Sequence, residues 1–67
     1  MPNIDLLKQK IEESGIPMTT LAQRSGIVRV TLYNRLNGIG DFTVSEVSGL
    51  SNALKLTKAE RDQIFFG

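Results

Sequence analysis

The sequence predicts an all-α fold, a compact bundle of five short helices in which the second and third form a helix-turn-helix pair. Three observations lead there. Apolar residues recur at helical spacing. The dipeptide Gly-Ile occurs at 15–16, 26–27 and 38–39, each time where such a stripe ends. Two capping boxes, Thr43-Val44-Ser45-Glu46 and Thr57-Lys58-Ala59-Glu60, open two further stripes. The 67 residues make one domain, 1–67, and a chain this short buries only about 60% of the surface its unfolded form exposes.

Asn3 suits the N-cap of helix 1, and Asp5 lies in its first turn, where the helix dipole favours an anion. Ile4, Leu7 and Ile11 form the apolar stripe, while Lys8, Gln9, Glu12 and Glu13 face water. Gly15 ends the helix, and Ile16 against Ile11 is the apolar pair that accompanies a Schellman ending. Pro17 then starts helix 2, expected from Met18 to Ser25 with Leu21 and Ala22 inward and Gln23 and Arg24 outward. Thr19 and Thr20 stand in its first turn, where they can cap the helix or hold a phosphate.

Helix 3 is expected from Val28 to Asn37. Stepping about 100° per residue from Leu32 puts Leu36 and Val28 within about 40° of the buried centre. Val30, Asn34 and Asn37 fall on the far side, with Thr31 and Tyr33 on the flanks and Arg29 at the exposed amino end. Gly38-Ile39-Gly40-Asp41 is a loop and no dinucleotide fingerprint, because Thr43 stands where the third glycine would be and no strand precedes it. Helix 4 opens on the first capping box, with Phe42 and Val47 as its hydrophobic staple. Val47, Leu50 and Leu54 make its stripe, joined by Ser51 and Ala53. Gly49 within it costs up to about 1 kcal/mol relative to alanine, which points to close approach of another helix. Helix 5 starts at Thr57 and carries Ile64, Phe65 and Phe66. Ile64 and one phenylalanine suit the core, and the other phenylalanine suits a dimer contact.

Composition excludes several functions. Without cysteine or histidine, the chain has no disulfide framework and no soft-metal site, so neither a metal nor a cofactor is expected. An enzyme is not expected either: no group is poised near neutrality, the carboxylates show no catalytic spacing, and Ser25, Ser45, Ser48 and Ser51 have no activating partner. The longest apolar run, Ile64-Phe65-Phe66, falls far short of the roughly 20 residues that span a bilayer, and Met-Pro-Asn-Ile-Asp has no secretory pattern. A cytoplasmic protein is the expectation.

Net charge is only +1, but its distribution is uneven. Lys8 and Lys10 against Asp5, Glu12 and Glu13 leave 1–13 at −1. Arg24, Arg29 and Arg35 with no acid give 14–40 a charge of +3. Lys55, Lys58 and Arg61 against Asp41, Glu46, Glu60 and Asp62 return 41–67 to −1. The acid-free centre coincides with the helix-turn-helix pair and points to an anionic partner. On the free face of helix 3, Arg29 can fork onto guanine, Asn34 can pair with adenine, and Val30 can meet a thymine methyl.

Leu21-Ala22, Gly26-Ile27, Leu32 and Leu36-Asn37-Gly38 resemble the helix-turn-helix of the lambda repressor and Cro family, the Xre type. The five-helix order extends that resemblance over nearly the whole chain, and the segment from Asp41 to Phe66 is similar to small regulators of phages and prophages of Gram-positive bacteria. The resemblance implies sequence-specific binding to double-stranded operator DNA as a homodimer. It implies base contacts from Val28, Arg29, Val30, Tyr33 and Asn34. Phosphate contacts are expected of Thr19, Thr20, Thr31 and Asn37. Two departures stand out. Many members have Ser or Thr followed by Gln where this chain has Pro17-Met18, so a phosphate clamp there rests on backbone N–H groups and on Thr19 or Thr20. Many also have an apolar residue at the place of Arg35, which implies a slight rotation of helix 3. A different function on the same fold is a protein-interaction module, a repressor modulator or an antitoxin, with Arg29, Tyr33 and Asn34 as an interface patch.

Overall fold

A computed structural model describes residues 2–67. Its elements are α1 (Ile4–Ser14), α2 (Met18–Ser25), α3 (Arg29–Leu36), α4 (Val44–Ala53) and α5 (Lys58–Phe65). Each helix supplies one completely buried large side chain: Leu7, Leu21, Leu32, Leu50 and Ile64 in chain order. Around these close Ala22, Ile27, Leu36, Val47 and Phe65, so one core draws on all five helices. Among the described residues no helix is long and apolar enough to cross a membrane.

Local chemistry sets the helix boundaries. The Asn3 side chain accepts from the Leu6 N–H at 3.1 Å, Thr43 accepts from Glu46, and Thr57 accepts from Glu60, both of the latter within complete capping boxes. Helix α2 stops in a full Schellman motif: Gly26 has φ +72°, its N–H donates to the Gln23 carbonyl, and the Ile27 N–H donates to Ala22 at 3.0 Å. The Gly38-Ile39 stop repeats that pattern, with Ile39 donating to Asn34 at 2.8 Å. The stop at Gly15 differs. There the Ser14 hydroxyl stands between the two partners, donating to the Ile11 carbonyl at 2.6 Å and accepting from the Ile16 N–H at 3.1 Å. After α4 the left-handed position is filled by Lys55, φ +54°, with Leu56 donating to Ser51 at 2.9 Å. This fourth stop carries no glycine to announce it.

The closest crossing lies between α2 and α4. A Cβ built on Gly49 would land on the carbonyl oxygen of Ser25, well inside van der Waals contact. Ser25 itself is buried, and its hydroxyl donates back to the Leu21 carbonyl at 2.6 Å, which keeps its own polar group satisfied at the crossing. Elsewhere α5 is fastened to the start of the chain. The Asn3 N–H donates to the Ile64 carbonyl at 2.6 Å, and Lys10 pairs with Glu60 at 2.7 Å. That ammonium, helped by the Thr57 N–H, holds the Glu60 carboxyl at about 2, below its usual 4.5. Phe42 meets Phe65 edge to face with ring centroids 5.2 Å apart, and Phe65 is buried while Phe66 stays outside.

Helix α3 corrects the sequence reading at three places. It is one residue shorter at each end, with Val28 as its N-cap and Asn37 as its C-cap. Val28 does not approach the buried face. Its ψ of 135° takes it out of the helical register on which that placement depended, and it is 69% exposed. Asn34 is half-buried, not fully on the far side. Leu32 and Leu36 both face the core as their spacing requires.

Replacing Gly49 with alanine should therefore cost stability even though alanine favours a helix. With no room for the methyl group against the Ser25 backbone, an overpacking cost at the upper end of about 1–3 kcal/mol is expected, which exceeds the gain of about 1 kcal/mol in helix propensity. Thermal unfolding followed by circular dichroism should show a lower midpoint for Gly49→Ala; an unchanged or higher one would contradict the close crossing.

Candidate nucleic-acid interface

Two helix starts differ from the other three. The cap positions of α2 and α3 are Pro17 and Val28, and neither side chain accepts a hydrogen bond, whereas α1, α4 and α5 are capped by Asn3, Thr43 and Thr57. The first intrahelical donors are Leu21 in α2 and Leu32 in α3. The N–H groups before them, at 18–20 and 29–31, are left without a side-chain cap, at the positive ends of two dipoles. These starts belong to the two helices of the helix-turn-helix pair.

Arg29 and Thr19 link those starts. Arg29, the first residue of α3, donates from Nη1 to the Thr19 Oγ1 of α2 at 3.1 Å, and both residues are exposed. Thr19 therefore does not cap its own helix; its oxygen serves the neighbouring one. Beyond Arg29 the outer surface of α3 carries Val30 and Tyr33, 63% and 45% exposed. Val28 stands beside them at the cap. Thr20, Thr31 and Asn34 are half-buried, and Asn37 is exposed at the carboxyl end. All nine residues singled out in the sequence thus belong to the helix-turn-helix pair and its caps. Val28, Arg29, Val30, Tyr33, Thr19 and Asn37 are open to solvent, while Asn34, Thr20 and Thr31 are only partly so.

Arg35 behaves differently from the other two arginines of the acid-free segment. Its Nε pairs with Glu46 Oε1 at 3.2 Å, its Nη1 donates to the Ile39 carbonyl at 3.2 Å, and the two charged side chains are only 19% and 15% exposed. The same Glu46 oxygen accepts from the Thr43 N–H at 3.0 Å, closing the α4 capping box. One carboxylate thus caps α4 and receives the end of α3. Arg24, in the last turn of α2, and Arg29 are left as the cations of this segment that point to solvent. The charge count alone could not separate them. The unusual Arg35-Leu36 order, with a capping glutamate to follow, was the available clue.

No group of three or more His, Cys, Asp or Glu that could hold a metal occurs among the described residues. Compared with known families, residues 7–60 match the family model described as helix-turn-helix. No curated protein and no solved structure matches the chain.

Removing the Arg35 side chain strands a partly buried carboxylate and should cost about 1–3 kcal/mol, or roughly 4–8 °C in midpoint per kcal/mol for a domain of this size. Because Arg35 faces inward, Arg35→Ala should leave the salt dependence of any DNA binding unchanged at temperatures where the variant is folded. A reduced salt slope with undiminished stability would show instead that Arg35 meets phosphate.

Proposed function

The chain belongs to the helix-turn-helix family, of the lambda-repressor or Xre type, whose members are DNA-binding regulators, and from that membership we propose that it reads a specific operator with α3 in the major groove. The observation that carries the proposal is the outer surface of the helix-turn-helix pair: exposed Arg29, Val30 and Tyr33 beside two helix starts with no side-chain caps, in a stretch without acids. A duplex offers what each part lacks. Phosphates would take the free N–H groups and the hydroxyls of Thr19, Thr20 and Thr31, with Asn37 at the far end of the helix, and so fix register. Base edges would take the rest. Arg29 would fork onto guanine O6 and N7, Asn34 would pair with adenine, Val30 would meet a thymine methyl, and Val28 and Tyr33 would border them, each good pair giving about 1–3 kcal/mol of discrimination.

An eight-residue reading helix spans few base pairs, which favours a homodimer on a near-palindrome with half-sites about 34 Å apart. The exposed Phe66, beside Val44 and Phe42 on a shallow apolar groove of about 350 Å³, supplies a surface for that contact. The resemblance of 41–66 favours a small regulator of the phage or prophage kind, acting in the cytoplasm where its operator is.

Selection from random duplexes at two salt concentrations tests the reading. An enriched near-palindrome is expected. Contacts to about 6–10 phosphates should weaken binding by 10³–10⁵ between 50 and 200 mM salt, and Arg29→Ala should relax one base pair in each half-site. A partner-binding module would yield neither an enriched sequence nor that salt dependence, and a preference unchanged by Arg29→Ala would remove Arg29 from the reading.

A further inference from the structure

Among the described residues of the helix-turn-helix pair, Arg29 joins one helix start to the other through a neutral side-chain acceptor, whereas Arg35 is paired with a carboxylate. The Arg29 Nη1 donates to the Thr19 hydroxyl oxygen at 3.1 Å, across ten residues of sequence and from one helix to the other. No acid lies between 14 and 40, and Glu46 is already engaged by Arg35 and by its own capping box. The type of acceptor matters. A carboxylate at this place would neutralise the guanidinium and compete with DNA for it. A hydroxyl instead restrains a long, rotamer-rich side chain while leaving its full charge for an anionic partner.

Accepting from Arg29 also leaves the Thr19 proton free, since a hydroxyl has one donor and two acceptor sites. Thr19 stands in the first turn of α2, beside N–H groups that no side chain caps. Its proton can therefore go to a phosphate oxygen while its oxygen holds Arg29. The guanidinium keeps its Nε–Nη2 edge for a bidentate pair with a base.

We propose that Thr19 is the positioning residue for Arg29, so that the base preference of Arg29 is set jointly by the two side chains and is transmitted from a phosphate contact. This rests on the reading of Arg29 as a base-contacting residue. The geometry that supports it is fixed by the fold: the Gly26 turn sets the distance between the two helix starts, and Thr19 and Arg29 are exposed, so substituting either leaves the core intact.

The test uses the full chain and the duplex recovered by selection, with all four base pairs placed in turn at the position that Arg29→Ala relaxes. Thr19→Val keeps the shape and removes the acceptor; Thr19→Ser keeps the acceptor. Discrimination at that one position should fall about tenfold in Thr19→Val, persist in Thr19→Ser, and fall no further when Thr19→Val is added to Arg29→Ala. Preference at the other positions should be unaffected. If Thr19→Val weakens all sequences equally and leaves the discrimination ratio intact, Thr19 is a phosphate contact only and the proposal is overturned while the Arg29 reading stands. If Arg29→Ala relaxes no position, the reading itself has failed and the proposal with it.

Discussion

The missing side chain of Gly49 sets the distance between the helix-turn-helix pair and its support. Helix α4 lies so close to the carboxyl end of α2 that the Ser25 carbonyl occupies the place of a Cβ. The rest follows from that crossing. Immediately beyond Ser25 the chain turns left-handed at Gly26, and Ile27 enters the core as the anchor from which α3 departs. The small Ala22 lies buried on the same helix. A side chain at 49 would push α2 off the body, and α3 would move with it. The roughly 1 kcal/mol that glycine costs inside a helix is the local concession that allows this packing.

A second constraint fixes the other end of α3. Arg35 turns inward to Glu46 and to the loop carbonyl of Ile39, so α3 is held by its core leucines, by a glycine turn before it and by an ion pair after it. The polar groups of the molecule thereby divide into two sets. In the body, the caps of α1, α4 and α5, the Lys10–Glu60 pair and the Arg35–Glu46 pair are satisfied within the molecule, while the buried Ser51 hydroxyl of α4 has no hydrogen-bond partner. Those at the starts of α2 and α3 remain open, apart from the single bond between Thr19 and Arg29. The proposed binding of DNA uses that division, a rigid support beside polar groups left open for a partner outside the chain.

How far the sequence disclosed this depends on the range of each interaction. The caps at Asn3, Thr43 and Thr57 and the stops at Gly26 and Gly38 are bonds between residues at most five apart, and composition at those positions states them directly. Gly49 could be suspected from its unfavourable place in a helix, but its partner, Ser25, could not. Val28 was misplaced because a helical wheel assumes helical backbone, and the N-cap is where that assumption ends. The Ser14 relay and the left-handed Lys55 use residues that do not advertise those roles. Arg35–Glu46 and Arg29–Thr19 join residues 11 and 10 apart across a turn. The charge pattern located the surface but could not say which arginines reach it. As expected of one phenylalanine, Phe65 enters the core; Phe66 remains outside it.

The most direct test of the account is to follow the backbone amide resonances of the isotopically labelled protein as the selected duplex is added. The account predicts the largest shifts at the starts of α2 and α3, around 18–20 and 28–31, continuing along the outer surface of α3 to Tyr33 and Asn34. Shifts concentrated on the Phe42, Val44 and Phe66 surface, with the starts of α2 and α3 unmoved, would contradict it.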